Sequence, residues 1–345
     1  MATKNNKVWR LAKHPKGLFK ESDFEWSSEP ISDISTGEIL IRHIYLSLGP
    51  ANRQFAVEEE TFVPPVELGE VMLGIGIGVI EESRNDAFSP GDVVQGFLGW
   101  QEYIVTAGGG LAVLPRVRPF PLTAYLAVFS HIGLAAYFGL LEVGTPKAGD
   151  TLLVSAAAGA VGSLAGQIGI IKGCRVVGVA GSEEKCRWIR KDLGFDAAVN
   201  YNNEPIVEAL RTKCPHGIDI YFDNVGGQVL DAALRFINRK ARIVLCGMIS
   251  QCSSDLNNPE PSLPHLINLH YRRARLEGFK WLDFPEKTSE ALQNLGSWLA
   301  MGELKYRVEM IDGLQNAPGA VNKNFDGSNR AKLICKVSEE PNITI

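Results

Sequence analysis

The segment Leu152-Leu-Val-Ser-Ala-Ala-Ala-Gly-Ala-Val-Gly162 constrains the chain more than any other. Leu152 to Val154 is a short apolar run of the kind a buried strand needs. Gly159 and Gly162 sit in a turn of small residues, and Leu164, Ala165, Ile168 and Ile171 then recur at helical spacing. A second buried strand runs from Cys174 to Ala180. Strand, glycine turn, helix, strand is one βαβ unit of the length a dinucleotide site needs. A pyrophosphate requires backbone N–H donors at close range and the positive end of a helix. Side chains larger than Ala would hold the backbone away, and Ala157, Ala158, Gly159, Ala160 and Gly162 leave the approach open. The match is to Ala-Ala-x-Gly-x-x-Gly, with Ala157 where Gly-x-Gly-x-x-Gly has its first glycine. Tight helix–strand packing alone would also select small residues; the strands on either side favour the dinucleotide.

The end of the second strand bears on which dinucleotide. A site for NAD usually ends this strand in Asp or Glu, which binds the ribose 2′-hydroxyl. Here the strand ends Val179-Ala180-Gly181-Ser182. Glu183 and Glu184 follow on what should be a first helical turn, with Ser182 as its N-cap. Lys185 comes next, within reach of a 2′-phosphate; its alternative role is a solvated helix lysine. The missing strand-end acid favours the phosphate, and so NADPH over NADH.

The 345 residues suit two domains and allow a sizeable core. A net charge of −4 argues against a nucleic-acid surface, and no segment approaches the length of a membrane span. The N-terminal residues lack the apolar core of a secretion signal. The six cysteines (174, 186, 214, 246, 252 and 335) fall in the second half without framework spacing. They are expected to be reduced thiols in a cytoplasmic protein.

Residues 1–127 alternate short apolar strands with turn residues, as in Glu38–Leu48, Gly74–Ile80 and Gly99–Val105, which indicates a compact barrel or sandwich. In residues 128–304 the pattern changes. A helix apolar on all sides is expected over 130–142. Strands follow at Thr151–Ser155, Arg175–Ala180, Ala197–Asn200, Ile218–Phe222, Ala241–Gly247 and Arg275–Phe279, with a closing helix at Lys287–Met301. Such alternation implies a mostly parallel, doubly wound sheet of the α/β class. Residues 305–345 return to strand-like text and are expected to rejoin the first domain.

Tyr45-Leu-Ser-Leu-Gly-Pro50, Gly99-Trp-Gln-Glu-Tyr103, Ala136-Tyr-Phe-Gly-Leu-Leu141, Ala156–Gly162, Lys172–Gly181, Asp219-Ile-Tyr-Phe-Asp-Asn-Val-Gly-Gly227 and Cys246-Gly-Met-Ile-Ser-Gln251 together carry a resemblance over essentially the whole chain. It resembles zinc-independent medium-chain dehydrogenases/reductases, within the branch of prostaglandin reductases, leukotriene B4 12-hydroxydehydrogenases, NADPH-dependent curcumin reductases and alkenal double-bond reductases. The resemblance implies a GroES-like β-rich catalytic domain, a Rossmann domain and a cleft between them. It also implies NADPH-dependent reduction of a carbon–carbon double bond conjugated to a carbonyl, with an enone or enal as substrate, and a homodimer. By the same resemblance Ala158, Gly159, Ala160 and Val161 cradle the pyrophosphate. Gly181, Ser182, Lys185 and Tyr201 hold the adenosine phosphate. Asn224, then Cys246, Gly247, Met248, Ile249, Ser250 and Cys252, then Phe279, Lys280 and Trp281, and finally Asn329 line the rest of the groove. No metal is expected. The first domain has no cysteine, and Gly69-Glu70-Val71 stands where zinc enzymes carry Gly-His-Glu. An enolate oxygen can be held by hydrogen-bond donors instead of a Lewis acid.

The departures from the family cluster where substrate should sit. Ala51 replaces a tyrosine beside Asn52. Ser130-His-Ile-Gly-Leu-Ala-Ala-Tyr137 replaces Gly-Met-Pro-Gly-x-Thr-Ala-Tyr, so that Ala135 stands for the nicotinamide-facing threonine. Cys252 replaces a tyrosine that would touch the ribose or help protonate the enolate. Ala51, Asn52, His131 and Ala135 are the expected pocket. His131 is the one new polar group, a candidate donor to the substrate carbonyl or a helix-start histidine satisfied by backbone. Cys252 is a catalytic candidate only by position. Two other functions share this scaffold: a quinone oxidoreductase, and an NADPH-binding protein with lost or redirected catalysis.

Overall fold

Val8, Trp9 and Leu11 are buried on the first strand, β1 (Asn5–Leu11), which pairs antiparallel with β2 (Phe24–Pro30). The coordinates are a computed structural model that describes residues 5–58, 63–115, 119–252 and 263–341, and the backbone alone of Cys252. The chain divides into two units, residues 1–126 with 308–345, and residues 127–307.

In the first unit the long strand β3 (Ile39–Leu48) is followed by a short helix, α1 (Ala51–Phe55). Then come β4 (Ile75–Ser83), β5 (Val93–Phe97), β6 (Tyr103–Thr106) and β7 (Ala112–Val113). β3 is the centre of this sheet: it pairs antiparallel with both β4 and β6, and nine of its ten residues are buried. A strand covered on both faces reads as a continuous apolar run, which is why its second half stops alternating. The core between ribbon and sheet is aromatic. Fully buried Trp100 stacks on Phe24 with centroids 5.5 Å apart, and Trp9 and Phe19 complete the cluster.

The second unit begins at the end of α2 (Leu122–Ala127) and continues into α3 (His131–Phe138). A wider π-turn then spans Gly139–Gly144, where the sequence pattern had predicted one helix over 130–142. The helical run is thus continuous from His131 to Gly144, and the phenyl ring of Phe279 lies where a side chain on Gly139 would be. Next come β8 (Thr151–Val154), α4 (Ala160–Ile171), β9 (Arg175–Ala180), α5 (Glu183–Lys191) and β10 (Ala197–Asn200). These are followed by α6 (Ile206–Lys213), β11 (Ile218–Asp223), α7 (Gly227–Leu234), β12 (Ile237–Leu245) and α8 (Ile249–Cys252). Helix α9 (Asn268–Arg272), β13 (Arg275–Gly278) and α10 (Thr288–Ala300) complete the unit. All six strands are parallel, in the order β10-β9-β8-β11-β12-β13. Counted from β8 this is 3-2-1-4-5-6, the doubly wound arrangement that the strand–helix alternation predicted.

β12 starts four residues earlier than its apolar text indicates. Its pairing with β11 jumps from Ile218↔Ile237 to Ile220↔Arg242, and Lys240 adopts a left-handed φ of 63° in the bulge. Exposed Arg239 and Lys240 therefore interrupt the pattern without ending the strand.

Returning to the first unit, the chain adds β14 (Val308–Asp312), α11 (Ala317–Asn322) and β15 (Lys332–Lys336). β15 pairs antiparallel with β3 and parallel with β14. Its first residue, Lys332, is only 5% exposed, and its ammonium donates to the Leu48 carbonyl at 2.7 Å. Burial without a counter-charge pushes the amine down to about 7. Between that value and the ordinary 10.5 the unfolded chain binds a proton that the folded chain does not. Stability therefore rises with pH through this window, and the penalty is greatest below pH 7. Lys332→Met is expected to stabilise the fold by about 1–3 kcal/mol at pH 6, with the gain shrinking towards pH 10. Urea unfolding at the two pH values measures this; equal gains at both would refute it.

Candidate functional site

Helix α4 meets the sheet along a seam of glycines. A Cβ on Gly162 would lie 2.5 Å from the Ala156 carbonyl oxygen. On Gly166 it would lie 1.9 Å from the Phe195 ring, and on Gly169 2.4 Å from the Leu152 side chain. The helix can therefore rest directly on β8 and begin where that strand ends. The link is a tight turn in which Ala156 has a left-handed φ of 46° and the Gly159 amide donates back to the Ala156 carbonyl at 2.8 Å. The Ala157 amide donates to Val179 of β9, fixing the turn to the neighbouring strand. Helix geometry leaves the first-turn amides from Ala160 onward without carbonyl partners inside the helix, beside the positive end of its dipole. An anion fits there.

The next strand end carries the second group. Gly181 follows β9, and a Cβ there would lie 2.7 Å from the Tyr201 hydroxyl, so the tyrosine ring covers this backbone. Tyr201 follows β10 and is 47% exposed. Ser182 caps α5 by accepting from the Lys185 amide at 3.3 Å. Glu183, the first residue of α5, accepts from the side-chain amides of Asn200 (2.8 Å) and Asn203 (3.2 Å). The acid nearest the end of β9 is thus engaged by asparagines of the β10 end. Half-buried Lys185 lies one helical position beyond Glu184 in the same turn.

The third group lies between β8 and β11, where the strand order reverses. Asp223, fully buried at the end of β11, accepts from the hydroxyls of Ser155 (2.8 Å) and Tyr221 (2.7 Å) and from the amides of Val225 (2.9 Å) and Gly226 (3.0 Å). Burial pushes its carboxyl up, and the hydrogen bonds oppose that shift. The Ser155 hydroxyl and carbonyl accept from the amide and side chain of Asn224, both at 2.8 Å. The amides of Cys246 and Gly247 donate to the Asp223 carbonyl at 2.9 and 3.0 Å, and that of Ile249 to Asn224 at 3.2 Å. Ser250 donates its hydroxyl to the Val225 carbonyl at 2.7 Å, and Met248 packs near Gly226. Apolar surroundings push the Cys246 thiol up to about 12, which makes it an inert side chain. Beyond β13, Phe279 packs on Gly139, the exposed Lys280 donates its amide to Asp283, and Trp281 opens a short 3₁₀ turn.

The structure thus strings Tyr201, Gly181 to Lys185, Ala158 to Val161, Asn224, Cys246 to Ser250 and Phe279 to Trp281 along the carboxyl edge of one parallel sheet, one group per strand end. His131 and Ala135 belong to the same unit, on α3, which packs on α4. Half-buried His131 is its first residue, after the Ser130 cap that accepts from the Ile132 amide. Tyr137 is buried on Trp298 and accepts from Asn294. Ala51, Asn52 and Asn329 lie in the first unit. Asn52 is buried and bridges the Gly49 amide and the Leu73 carbonyl. Asn329 hydrogen-bonds Lys323 through its backbone and Ala331 through its side chain. The Cys252 side chain falls outside the described residues. The sequence reading missed Ser155 and Asp223. The available signal was an acid closing an otherwise apolar strand directly before Asn224-Val-Gly-Gly227.

A six-stranded parallel sheet in this order, with a small-residue turn feeding α4 and polar groups at every strand end, defines a doubly wound α/β protein of the Rossmann type. Residues 7–114 match the family described as the N-terminal domain of oxidoreductase, and residues 160–297 the family described as zinc-binding dehydrogenase. The chain is 39% identical to the NADPH-dependent curcumin reductase of Escherichia coli, covering 96% of this chain and 97% of that one. It is 38% identical to prostaglandin reductase 1 of Rattus norvegicus, over 96% and 98% of the two chains. The crystal structure of CurA from Vibrio vulnificus in complex with NADPH is 36% identical and superimposes with a TM-score of 0.91, over 97% and 100% of the two chains. The chain belongs to the medium-chain dehydrogenase/reductase family, in the branch of the curcumin and prostaglandin reductases.

The seam and the Tyr201 contact make opposite predictions for the same substitution. Gly162→Ala forces a methyl onto a backbone oxygen and is expected to destabilise the fold by about 1–3 kcal/mol. Gly181→Ala meets only the tip of a half-exposed ring, which swings away, and is expected to cost less than about 0.5 kcal/mol. Thermal unfolding of the two variants distinguishes them, and equal losses would contradict the packing described.

Proposed function

We propose that this chain is an NADPH-dependent reductase of carbon–carbon double bonds conjugated to a ketone or aldehyde, working without zinc. The observation that carries it is the unbroken row of strand-end groups in a chain 36–39% identical, end to end, to reductases of this branch. The residues fit the cofactor. The turn Ala156–Gly159 carries no side chain larger than a methyl beside the first amides of α4, and Gly181 lies beneath Tyr201. Glu183, though exposed, already accepts from Asn200 and Asn203, and that favours a phosphate over a bare ribose hydroxyl at the end of β9.

Ala158 to Val161 would hold the pyrophosphate by backbone amides, Lys185 and Tyr201 the 2′-phosphate, and Asn224 with Cys246 to Ser250 the nicotinamide half. When bound, the reduced nicotinamide supplies the hydride. The chain's share is to exclude water, orient the β-carbon and stabilise the enolate oxygen with donors. His131, the polar group at the start of α3, would donate to that oxygen or return a proton to the α-carbon. The absence of cysteine from residues 1–127 supports the zinc-free reading. So does the absence, among the described residues, of any group of three or more His, Cys, Asp or Glu able to hold a metal. Among the described residues no helix is long and apolar enough to cross a membrane, and five cysteines are unpaired. These facts favour a cytoplasmic enzyme with a small-molecule substrate.

Oxidation of NADPH, with NADH as control, across a panel of enones, enals and quinones tests the reading. Turnover of enones is expected. Lys185→Ala should raise KM for NADPH about 10- to 100-fold, the value of one or two hydrogen bonds to a charged group, while leaving NADH unchanged. His131→Ala should lower kcat if the histidine carries a proton; an unchanged kcat returns it to a structural role. Turnover of quinones alone would make the chain a quinone oxidoreductase. Tight NADPH binding with no acceptor reduced would make it a binding protein.

A homodimer is part of the same proposal. β13 is the edge of its sheet, and Leu266, Ile267, Tyr271 and Leu282 near it in sequence are exposed apolar residues. Light scattering is expected to give twice the chain mass, and Leu276→Pro in β13 to halve it; a monomeric wild type would refute the dimer.

A further inference from the structure

Fully buried Asp223 hydrogen-bonds to each of the three loops at the centre of the site. Its carboxylate reaches Ser155, where β8 enters the small-residue turn, and holds its own turn through Val225 and Gly226. Its main-chain carbonyl holds Cys246 and Gly247 at the end of β12. Ser155 closes the figure, since its hydroxyl and carbonyl both accept from Asn224. The three loops so joined are those carrying Ala158 to Val161, Asn224, and Cys246 to Ser250.

A buried carboxylate is an unfavourable way to fill a core. Desolvation costs several kcal/mol, and apolar side chains of similar volume would stabilise the sheet at least as well. What hydrogen bonds add to apolar contacts is direction. Four donors converging on one fully buried carboxylate favour one arrangement of the loops. The Tyr221 hydroxyl differs from that of Ser155 in one respect. It bonds the same Asp223 oxygen from two residues back on the same strand and also meets the Ser155 hydroxyl, so deleting it leaves the direct Ser155–Asp223 link between the strands in place.

We propose that Ser155 and Asp223 are positioning residues whose hydrogen bond sets the gap between the pyrophosphate-facing turn and the Asn224 and Cys246–Ser250 segments. The proposal rests on the NADPH reading of this site. Affinity for the cofactor then depends on the cross-link more than on the number of hydrogen bonds that Asp223 receives.

Ser155→Ala and Tyr221→Phe each delete one hydroxyl from the same carboxylate and form the test. Both are expected to lower the unfolding midpoint. Ser155→Ala alone should weaken NADPH binding about tenfold and raise KM for NADPH accordingly, with kcat at saturating NADPH within about twofold of wild type. Tyr221→Phe should leave the NADPH Kd within about twofold. Hydrogen exchange of the cofactor-free protein should accelerate in both 156–161 and 246–250 for Ser155→Ala only. Equal Kd values for the two variants, or unchanged exchange in 246–250, would overturn the proposal. If the wild-type chain binds no NADPH, the functional reading fails, and the exchange data still decide whether the pair couples the loops. If Ser155→Ala does not fold, Ser155→Cys keeps the size, weakens the bond and serves the same comparison.

Discussion

The close packing of α4, where Gly169 meets Leu152 of β8, Gly162 the backbone of the turn after β8 and Gly166 the Phe195 ring, is the constraint from which the second unit follows. Glycine inside a helix costs about 1 kcal/mol each relative to alanine. That loss is offset by contact between helix and sheet, where Leu164, Ala165 and Ile168 become fully buried. With the helix pressed onto the strand, its positive end is delivered to the strand's carboxyl end. The parallel order of the other five strands then brings their carboxyl ends into the same row. A site spread over six loops requires no further device than a sheet in which every strand points the same way.

Two buried charges show how differently the chain treats them. Asp223 is met by four donors, and its charge becomes the centre around which loops are arranged. Lys332 is met by one carbonyl, so burial drives its amine towards the neutral form. The difference lies in position. Asp223 stands at a strand end, where turning backbone exposes unused amides. Lys332 starts an inner strand, whose neighbours spend their polar groups on each other.

At the end of β9 the first acid is already engaged. Glu183 is close in sequence to the place where a ribose-binding acid would stand. The cap at Ser182 starts α5 there and hands the carboxylate to Asn200 and Asn203. A serine cap followed by two acids is a local pattern with a local cause. For that reason it could be read from the chain before any coordinates were known.

Local regularity is what the sequence by itself determined. Apolar periodicity marked the six parallel strands, small residues marked the turn before α4, and a missing strand-end acid pointed to the phosphate-bearing dinucleotide. Each signal lies within a few neighbouring residues. Long-range pairing decided the rest. β12 runs four residues into polar text because it follows β11 through a bulge at Lys240. The helix after His131 runs on to Gly144 and widens at Gly139, where Phe279, far along the chain, occupies the space a side chain would take. Ser155 and Asp223 are ordinary residues until the 3-2-1-4-5-6 order sets β8 beside β11 and leaves their side chains 2.8 Å apart and fully buried. A residue's neighbours in sequence are given by the chain, but its neighbours across a sheet exist only once strands 68 residues apart have paired.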